Sequence, residues 1–466
     1  MNKLTKIIYT VFFIVFIVAN TGHAEVLKAV VIAPDEEIKL SFPEALQEAF
    51  KSNHEFNASV YDLQAHKTKI AIARSNFFPH FNFSQDGAYT SIPATIFGYT
   101  LNQRRFTTFQ LVNAPDTLNF AMPIGNFLSS SSVTQSVFSM RNIINFSMTK
   151  KAHAAKSFEM KRTREKVVLD VSHAYLSTIA TLEGVKIAQQ SVQEAKEALK
   201  TITMKFNNKQ ASYSDVLKLR TTVKNTEQNL IGAVKNHEIA KKALGLTIGV
   251  DNPVEVYNKV PVLRIGKYED YKDNYLQRAD IKAVEVGYEN AENFVKMAKA
   301  AYYPELIAGA NYDIYARYAP FGFDGNFFFV YGVLKWNVFD GLKMQKEVEL
   351  AKIESNKVKD MVEGLKQAAR FEIFKAYRDV EEKEQKLQLA KSSLAQAQEG
   401  AEAVKAMYKN SQASVSDVLD AQLNLSRTKA DIIKSQNEYL SSALNLSFTT
   451  GTILKDLGLA DSNILP

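Results

Sequence analysis

Residues 210–217 read QASYSDVL, and residues 412–419 read QASVSDVL. Seven of the eight letters match at a separation of 202 positions. Further matches lie at nearly the same separation, namely Ala174-Tyr175 with Ala376-Tyr377 and Val137-Phe138 with Val338-Phe339. Solenoid repeats are about 20–50 residues long, so a repeat of this length indicates a duplicated domain. The sequence therefore predicts two copies of one structural unit.

The two copies differ in length near their beginnings. Residues 74–79 (RSNFFP) align with residues 299–304 (KAAYYP) at the larger separation of 225. Copy 1 must therefore contain about 24 extra residues before Val137, and these fall within residues 91–127. We expect a variable surface loop at the outer end of a hairpin, with a plug or a partner-binding surface as the alternative.

The first 24 residues are typical of a secretory signal peptide. Lys3 and Lys6 precede an apolar stretch, residues 7–19, and small residues stand at Gly22 and Ala24. That pattern predicts an exported protein. The whole sequence has 57 basic and 50 acidic residues, and residues 1–24 contain two of the basic and none of the acidic ones. The rest of the chain therefore has 55 basic and 50 acidic residues, a net charge of +5. Such a balance gives no indication of a nucleic-acid partner. The chain has no cysteine, which excludes disulfides.

Each copy contains a long stretch that favours helix. No proline lies between Pro123 and Pro253, or between Pro320 and Pro466. A helix over residues 139–207 would be roughly 100 Å long. Apolar or small residues recur every seven positions, which indicates coiled-coil packing or an ordinary helical bundle. These residues are Val185, Val192, Leu199 and Phe206 with Ala188, Ala195 and Ile202, and Leu387, Leu394, Ala401 and Tyr408 with Ala390, Ala397 and Val404.

Three segments alternate in the manner of strands, and a fourth, the return strand of copy 1 near residues 128–138, is serine-rich. In residues 305–318 one side of the strand carries Leu306, Ala308, Ala310, Tyr312, Ile314, Ala316 and Tyr318. In residues 328–338 one side carries Phe328, Val330, Leu334, Trp336 and Val338. In copy 1, Phe81, Phe83 and Tyr89 alternate with His80, Asn82, Ser84 and Asp86. Strands that cross an outer membrane and strands of a soluble sheet with one buried face both show this pattern.

The number of strands limits the membrane interpretation. Two hairpins give four strands per chain, whereas bacterial membrane barrels need at least about eight. Unpaired strand edges cost several kcal/mol for each polar group in lipid. If these strands lie in a membrane, the chain must therefore assemble into an oligomer, with two chains giving eight strands and three giving twelve.

The two octets themselves predict the turns of helical hairpins. Asparagines precede both octets and tolerate the left-handed conformation that ends a helix. Ser212 then lies three residues before Asp215, and Ser414 three before Asp417, as in a capping box that starts a new helix. The copies diverge just afterwards, since Lys218 in copy 1 corresponds to Asp420 in copy 2.

The predicted organisation repeats the order helix, β-hairpin, long helix, tip and return helix, with first helices near residues 41–77 and 269–301. Its boundaries are a signal peptide at 1–24, repeat 1 at 25–249, a linker or equatorial segment at 250–268, repeat 2 at 269–451 and a tail at 452–466. Repeat 1 contains the hairpin 79–138, the loop 91–127 and the tip 207–215, and repeat 2 contains the hairpin 304–339 and the tip 409–417.

The mature chain resembles the TolC-like outer-membrane efflux proteins over nearly its whole length. The resemblance rests on residues 41–46 (SFPEAL), residues 298–304, residues 338–341 (VFDG) and residues 417–420 (DVLD). It implies a mainly helical trimer with a twelve-stranded outer-membrane β-barrel, four strands from each chain, and a long periplasmic helical barrel. It also implies a passive export channel of a tripartite efflux or type I secretion system, opened by a periplasmic adaptor (membrane fusion protein) and an inner-membrane pump.

The resemblance assigns roles to residues of the tips. Asp417 and Asp420 match acids around the periplasmic entrance, Tyr408 a tyrosine of the closing constriction, and Asp215 an acid that helps to hold the tips shut. The adaptor-contacting residues carried over are Lys209, Gln210, Ala211, Ser212 and Tyr213 in the first tip, and Ser411, Gln412, Ala413, Ser414 and Val415 in the second. This chain departs from the family at Ala413, where an arginine of the closing network is found, and at Lys209 and Ser411, where glycine is frequent.

A threefold axis would gather six carboxylates from Asp417 and Asp420. Such a ring favours cations in a pore. Crowding of like charges raises carboxylate pKa values, so conduction is expected to depend on pH.

Motifs of enzymes and of cofactor or metal sites are absent from the sequence. We therefore predict a protein that is not an enzyme and has no cofactor or metal. The rival hypothesis is a structural periplasmic coiled coil that tethers or spaces the envelope without conducting ions.

Overall fold

The computed structural model describes residues 37–108, 112, 119–120, 122–257, 259–410 and 412–459. The predicted signal peptide, Ser411 and residues 460–466 of the predicted tail therefore lie outside the described residues. In chain order the elements are β1 (Ile38–Leu40), α1 (Phe42–Ser52), α2 (His54–Ser75), β2 (His80–Thr90), α3 (Pro93–Asn102), β3 (Ile124–Phe138), α4 (Met140–Asn207), α5 (Tyr213–Ile248), β4 (Val254–Val256), α6 (Ala279–Lys299), β5 (Glu305–Ala316), β6 (Gly325–Lys335), α7 (Lys343–Lys409), α8 (Val415–Thr449) and α9 (Ile453–Asp456).

Two long helical hairpins dominate the molecule, as predicted. α4 has 68 residues and α7 has 67, so each is roughly 100 Å long. α5 packs along α4, and α8 packs along α7. Val192, Ala195 and Ile202 of the sevenfold pattern are buried, whereas Phe206 at the end of α4 is exposed and contacts Tyr213. Within the described residues, none of the helices combines the length and the apolarity needed to cross a membrane.

The first helix of each copy differs from the prediction. The predicted helix at 41–77 is broken into α1 and α2 at Asn53, whose ψ of 122° is extended. The Asn53 side chain accepts a hydrogen bond from the Phe56 N–H at 2.9 Å and donates one to the Thr247 carbonyl at 2.8 Å. The contact with Thr247, 194 positions away, stabilises this break. In copy 2, α6 begins at Ala279, and only short 3-10 turns precede it.

The main core lies where α1 meets the middle of α4 and the ends of α5 and α8. Tyr175 is fully buried there, and its ring packs edge-on against Phe42 at 5.4 Å. β1 pairs in parallel with β4, so the predicted linker at 250–268 contributes a strand beside the core. Ile453 of α9 is also fully buried. β1, the linker and the described part of the predicted tail thus pack at one level of the molecule.

A charged network joins the two copies beside this core. Arg162 of α4 donates to Glu165 Oε2 and to the Phe448 carbonyl, each at 2.8 Å, and its guanidinium lies 3.6 Å from the Phe448 ring centroid. Its Nε is 3.7 Å from Asp280, which forms a bidentate pair with Arg278. Burial raises the pKa of Glu165. Arg162 therefore neutralises a buried carboxylate of copy 1 while contacting α6 and α8 of copy 2.

The two hairpins form one antiparallel sheet in the order β2-β3-β5-β6. The register places Phe83, Ser131, Tyr312 and Phe328 in one row, and Asn82, Ser132, Asn311 and Phe329 in the next row on the opposite face. We call the first the apolar face; it carries Phe81, Phe83, Tyr89, Leu306, Ala310, Tyr312, Phe328, Val330 and Leu334. The other is the polar face; it carries His80, Asn82, Ser84, Asp86, Ser130, Ser132, Asn311 and Asp313.

The predicted alternation is confirmed, with differences at the strand ends. Tyr318, Trp336 and Val338 were assigned to strands but follow the last residues of β5 and β6. β6 is aromatic on both sides, because Phe327, Phe329 and Tyr331 lie on the polar face. β2 and β6 form the two edges of the sheet, and each has one neighbouring strand.

Candidate functional site

Each long helix ends in a similar turn at the tip of its hairpin. In the first tip, the Gln210 N–H donates to the Lys205 carbonyl at 2.8 Å and the Lys209 N–H donates to the Phe206 carbonyl at 2.9 Å. In the second tip, the Gln412 N–H donates to the Met407 carbonyl at 2.9 Å. This pair of bonds in the first tip is a Schellman motif. It brings the chain around for the return helix.

The left-handed residue of the first tip is not the one predicted. Lys209 has a φ of 57°, whereas Asn208 has a φ of −84° and Asn207 is the last residue of α4. A left-handed conformation is strained for a residue with a Cβ atom. The prediction that an asparagine takes this conformation is therefore wrong for the first tip, and the strain falls on a lysine.

Both octets form the capping boxes that the sequence predicts. Asp215 Oδ2 accepts hydrogen bonds from the Ser212 hydroxyl at 2.7 Å and from its N–H at 3.3 Å, and the Asp215 N–H donates to Ser212 Oγ. Asp417 Oδ2 accepts bonds from the Ser414 N–H at 2.7 Å and from its hydroxyl at 2.8 Å. The shared letters of the octets are thus explained by the start of each return helix.

The cap also affects the ionisation of Asp417. The backbone N–H and then the hydroxyl of Ser414 lower the pKa of the Asp417 carboxyl below its usual value. Crowding in a ring of carboxylates would raise it. Within the single chain, the hydrogen bonds therefore oppose the direction that was expected for the assembled entrance.

An apolar cluster holds the two tips together. Ile202, Val216 and Leu219 of the first hairpin are buried there. Tyr408, Val415 and Leu419 of the second hairpin pack against them and are partly buried. The two tips therefore form one contact surface at the same end of the molecule.

Polar contacts cross between the hairpins beside this cluster. Lys205 Nζ lies 4.0 Å from the centroid of the Tyr408 ring, which is a cation–π geometry. Lys218 Nζ donates to Ser416 Oγ at 3.1 Å. Gln422 Nε2 donates to Glu194 Oε2 at 2.8 Å. Together with the apolar cluster, these three pairs are called the inter-tip contact below.

The structure brings the predicted site residues to one end, with different surroundings. Asp417 and Asp420 are exposed in the first two turns of α8. Asp215 is half-buried, and its carboxylate accepts a hydrogen bond from the Ser212 hydroxyl in its own hairpin. Tyr408 lies in the inter-tip contact. Of the proposed adaptor residues, Lys209, Gln210, Ser212, Tyr213, Gln412 and Ser414 are exposed, Ala211, Ala413 and Val415 are half-buried, and Ser411 lies outside the described residues.

Sequence reasoning missed Lys205, Glu194 and Gln422. They lie within regular helix, one to four turns from the tips, and belong to no motif. Lys205 alone has a weak sequence signal, because it is three residues from Ile202 and so shares the helix face that carries the sevenfold pattern.

Comparisons with known proteins agree with this architecture. A family model described as outer membrane efflux protein matches residues 45–250 and 271–452. No curated protein sequence matches the chain.

Solved structures with a similar fold include two outer membrane channels, CmeC and MtrE, and the outer membrane protein VceC. CmeC of Campylobacter jejuni superposes with a TM-score of 0.70 at 16% identity, covering 88% of this chain and 86% of its own. VceC of Vibrio cholerae gives 0.69 at 15%, covering 88% and 96%. The open state of MtrE of Neisseria gonorrhoeae gives 0.71 at 14%, covering 89% of each chain. At such identities the likeness concerns the fold.

Proposed function

The chain belongs to the outer membrane efflux protein family, and from that membership we propose that it is the passive export channel of a tripartite efflux or type I secretion system. Membership makes it an efflux channel of the outer membrane. In the proposed function, this chain catalyses no reaction during transport. A periplasmic adaptor and an inner-membrane pump supply the cargo and the energy.

The two-sided sheet is the observation that carries the proposal. Its apolar face exposes large side chains, with Phe328 81% and Phe81 78% exposed in the single chain. Its opposite face carries serine, asparagine and aspartate, as the water-filled side of a membrane sheet does. A structural coiled coil would have no use for such a sheet.

The open edges of the sheet indicate assembly. β2 and β6 each leave one side unpaired within the chain. Unpaired edges are unstable in lipid, so β6 of one chain is proposed to pair with β2 of the next. We propose a trimer, in which twelve strands close into a barrel and the helices extend roughly 100 Å into the periplasm.

The inter-tip contact is proposed to keep the periplasmic end closed. Lys205 and Tyr408 join the two hairpins of one chain and would separate if one hairpin moved outward. Ala413 stands where the family has an arginine of the closing network. We therefore propose that this cation–π pair contributes part of the stability of the closed tips. Asp215 is proposed to support the closed tips, and Asp417 and Asp420 to line the entrance that opens when the adaptor and pump bind.

Extraction and cross-linking of the native protein test this function. We expect the protein to leave the envelope fraction only with detergent, and a lysine-reactive cross-linker to give a three-chain species. A benzophenone photo-cross-linker that replaces Tyr213 should form a covalent link to an adaptor in the native envelope. The same cross-linker at the exposed position Glu238 should form no such link. A protein that is released without detergent and is not trimeric would support the structural tether instead.

A further inference from the structure

The extra segment of copy 1 is an ordered element in its described part. α3 begins at Pro93 and ends in a Schellman motif, in which Arg104 is left-handed with a φ of 53° and the Arg105 N–H donates to the Thr100 carbonyl at 2.9 Å. Ile96 and Thr100 are buried. Phe97 packs edge-on against Phe106 at 5.2 Å. Part of the segment predicted as a surface loop is therefore an ordered helix that packs on other parts of the chain.

Two side chains that follow α3 fix it to the sheet. Gln103 is only 1% exposed, and its Nε2 donates to the Gly125 carbonyl at 3.1 Å and to Asn126 Oδ1 at 3.0 Å. Arg104 donates to the carbonyl and side-chain oxygens of Asn326 at 3.2 and 3.1 Å. Asn126 belongs to β3 and Asn326 to β6, which are separated by β5. The end of α3 therefore extends across three strands.

The residues beneath α3 identify the face on which it lies. Asn126 alternates with Phe127 and shares a side of β3 with Ser130, which is on the polar face. The Arg104 guanidinium lies 5.7 Å from the ring centroid of Phe327, which pairs with Asp313 on the same face. Gly325 lies in the row of Tyr315, again on that face, and a Cβ atom there would collide with the Asn102 carbonyl oxygen. α3 thus ends on the polar face, and Arg104 reaches past the β6 edge to Asn326, whose side chain lies in the Ile314 row of the apolar face.

The position along the strands is equally well defined. Asn126 is near the beginning of β3, which ends at Phe138 beside α4, and Asn326 is near the beginning of β6, which ends before α7. α3 therefore lies at the end of the sheet that is remote from the long helices. In the proposed channel, this end opens to the outside of the cell.

We infer that α3 lies inside the outer opening of the channel and narrows it, so that it limits the size of solutes that enter the channel from the medium. The inference rests on the proposed function, in which the polar face lines the interior. In a trimer, three copies of α3 would project inward from three sheets. The ligand class is any water-soluble solute that is larger than the remaining opening.

Cysteine labelling on intact cells tests the inference, because the chain has no native cysteine. Ser132→Cys places a thiol on the polar face, below α3, and its neighbour Ser131→Cys places one on the apolar face. The reagents are a small sulfonated maleimide and a polyethylene glycol maleimide, both added outside the cell. Gly325→Ala displaces α3 by collision with Asn102, and Gly332→Ala in the same strand is the control because its Cβ atom meets nothing within 4 Å.

We expect Gly325→Ala to speed labelling of Ser132→Cys by the polymer by about tenfold, and Gly332→Ala to leave it unchanged. The small reagent should label Ser132→Cys at similar rates in all backgrounds. If Gly325→Ala lowers the amount of trimer, replacement of residues 93–106 by a Gly-Ser linker serves instead. Equal polymer labelling with and without docked α3 would overturn the inference while leaving the channel intact. If the small reagent labels Ser131→Cys but not Ser132→Cys, the orientation of the sheet, and with it the proposed function, fails.

Discussion

At the scale of single residues, the two octets differ in their surroundings although their caps are alike. Asp215 and Asp417 accept equivalent bonds from Ser212 and Ser414. The next helical turn differs, since Lys218 contacts Ser416 whereas Asp420 is exposed. Only the second tip therefore presents two carboxylates to solvent, which is why the acidic lining of the entrance is assigned to copy 2.

The combined substitution Asp417→Asn and Asp420→Asn is expected to reduce the cation preference of the channel in single-channel recordings. The amides remove negative charge from the entrance, and a ring of charges governs selectivity in a pore. An asparagine at position 417 keeps a side-chain oxygen that accepts a hydrogen bond from the Ser414 N–H, so the tip should stay folded. Asp251→Asn, at an exposed position in the linker, controls for loss of a charge elsewhere. Unchanged selectivity would remove both aspartates from the pore.

Lys209→Gly is expected to stabilise the first tip by about 1 kcal/mol, because glycine adopts the left-handed conformation without the strain of a Cβ atom. Amide hydrogen exchange of the tip in the intact trimer should slow by roughly fivefold. Asn208→Gly is the matched control, since its φ of −84° gives glycine no advantage, and exchange there should become faster. Faster exchange in Lys209→Gly would contradict the strain at this position.

At the scale of elements, the inter-tip contact joins α4 and α5 to α7 and α8. Its apolar part buries Ile202 and Val216, and its polar part places Lys205 over the ring of Tyr408. A partly exposed cation–π pair is worth about 0.5–1 kcal/mol. The proposed closing role requires that this contact favours closed tips and that a bound partner can break it.

Tyr408→Ala is expected to raise the open probability of the purified channel, because it removes both the ring that Lys205 contacts and part of the apolar cluster. Tyr408→Phe retains the ring and should behave like the unaltered protein. Lys205→Gln should act in the same direction as Tyr408→Ala, with a smaller effect. Planar bilayer recordings compare the three, and equal openings in the alanine and phenylalanine variants would show that the ring does not hold the tips.

The long helices and the alternating strands were predictable because they follow local periodicity. The absence of proline over residues 124–252 and the alternation in residues 305–316 are properties of the sequence alone. The break at Asn53 was not predictable, because it depends on a contact with Thr247. The docking of α3 was not predictable either, because Arg104 contacts Asn326 at a separation of 222 residues. Lys205 and Glu194 were missed for the same reason, because each contacts the other repeat.

At the scale of the whole molecule, ionic and hydrogen-bond contacts of Arg162 in α4 join the two copies. The side chain of Glu165 is only 2% exposed, and Arg162 is its ionic partner as well as the link to Asp280 and Phe448. A buried charge without its partner is strongly destabilising. The stability of the complete chain therefore depends on this arginine more than on the exposed ion pairs of the helices, which contribute little.

Arg162→Met is expected to destabilise the protein by about 3–5 kcal/mol, because it leaves the Glu165 carboxylate buried and unpaired. Glu165→Gln should cost less, and adding it to Arg162→Met should restore part of the lost stability. The apparent unfolding temperature at a fixed scan rate reports the order of the variants. If the double variant unfolds no later than Arg162→Met alone, the buried charge is not the cause of the loss.

We propose that several chains join their open sheets around a water-filled path, and the conductance of the purified oligomer in a planar bilayer is the decisive measurement. The protein should have the native mass of three chains in detergent and should produce discrete conductance steps. Tyr408→Ala should increase the time spent open, because it weakens the inter-tip contact. A stable, correctly folded protein that is monomeric in detergent, or a trimer that never conducts even with Tyr408→Ala, would contradict the account.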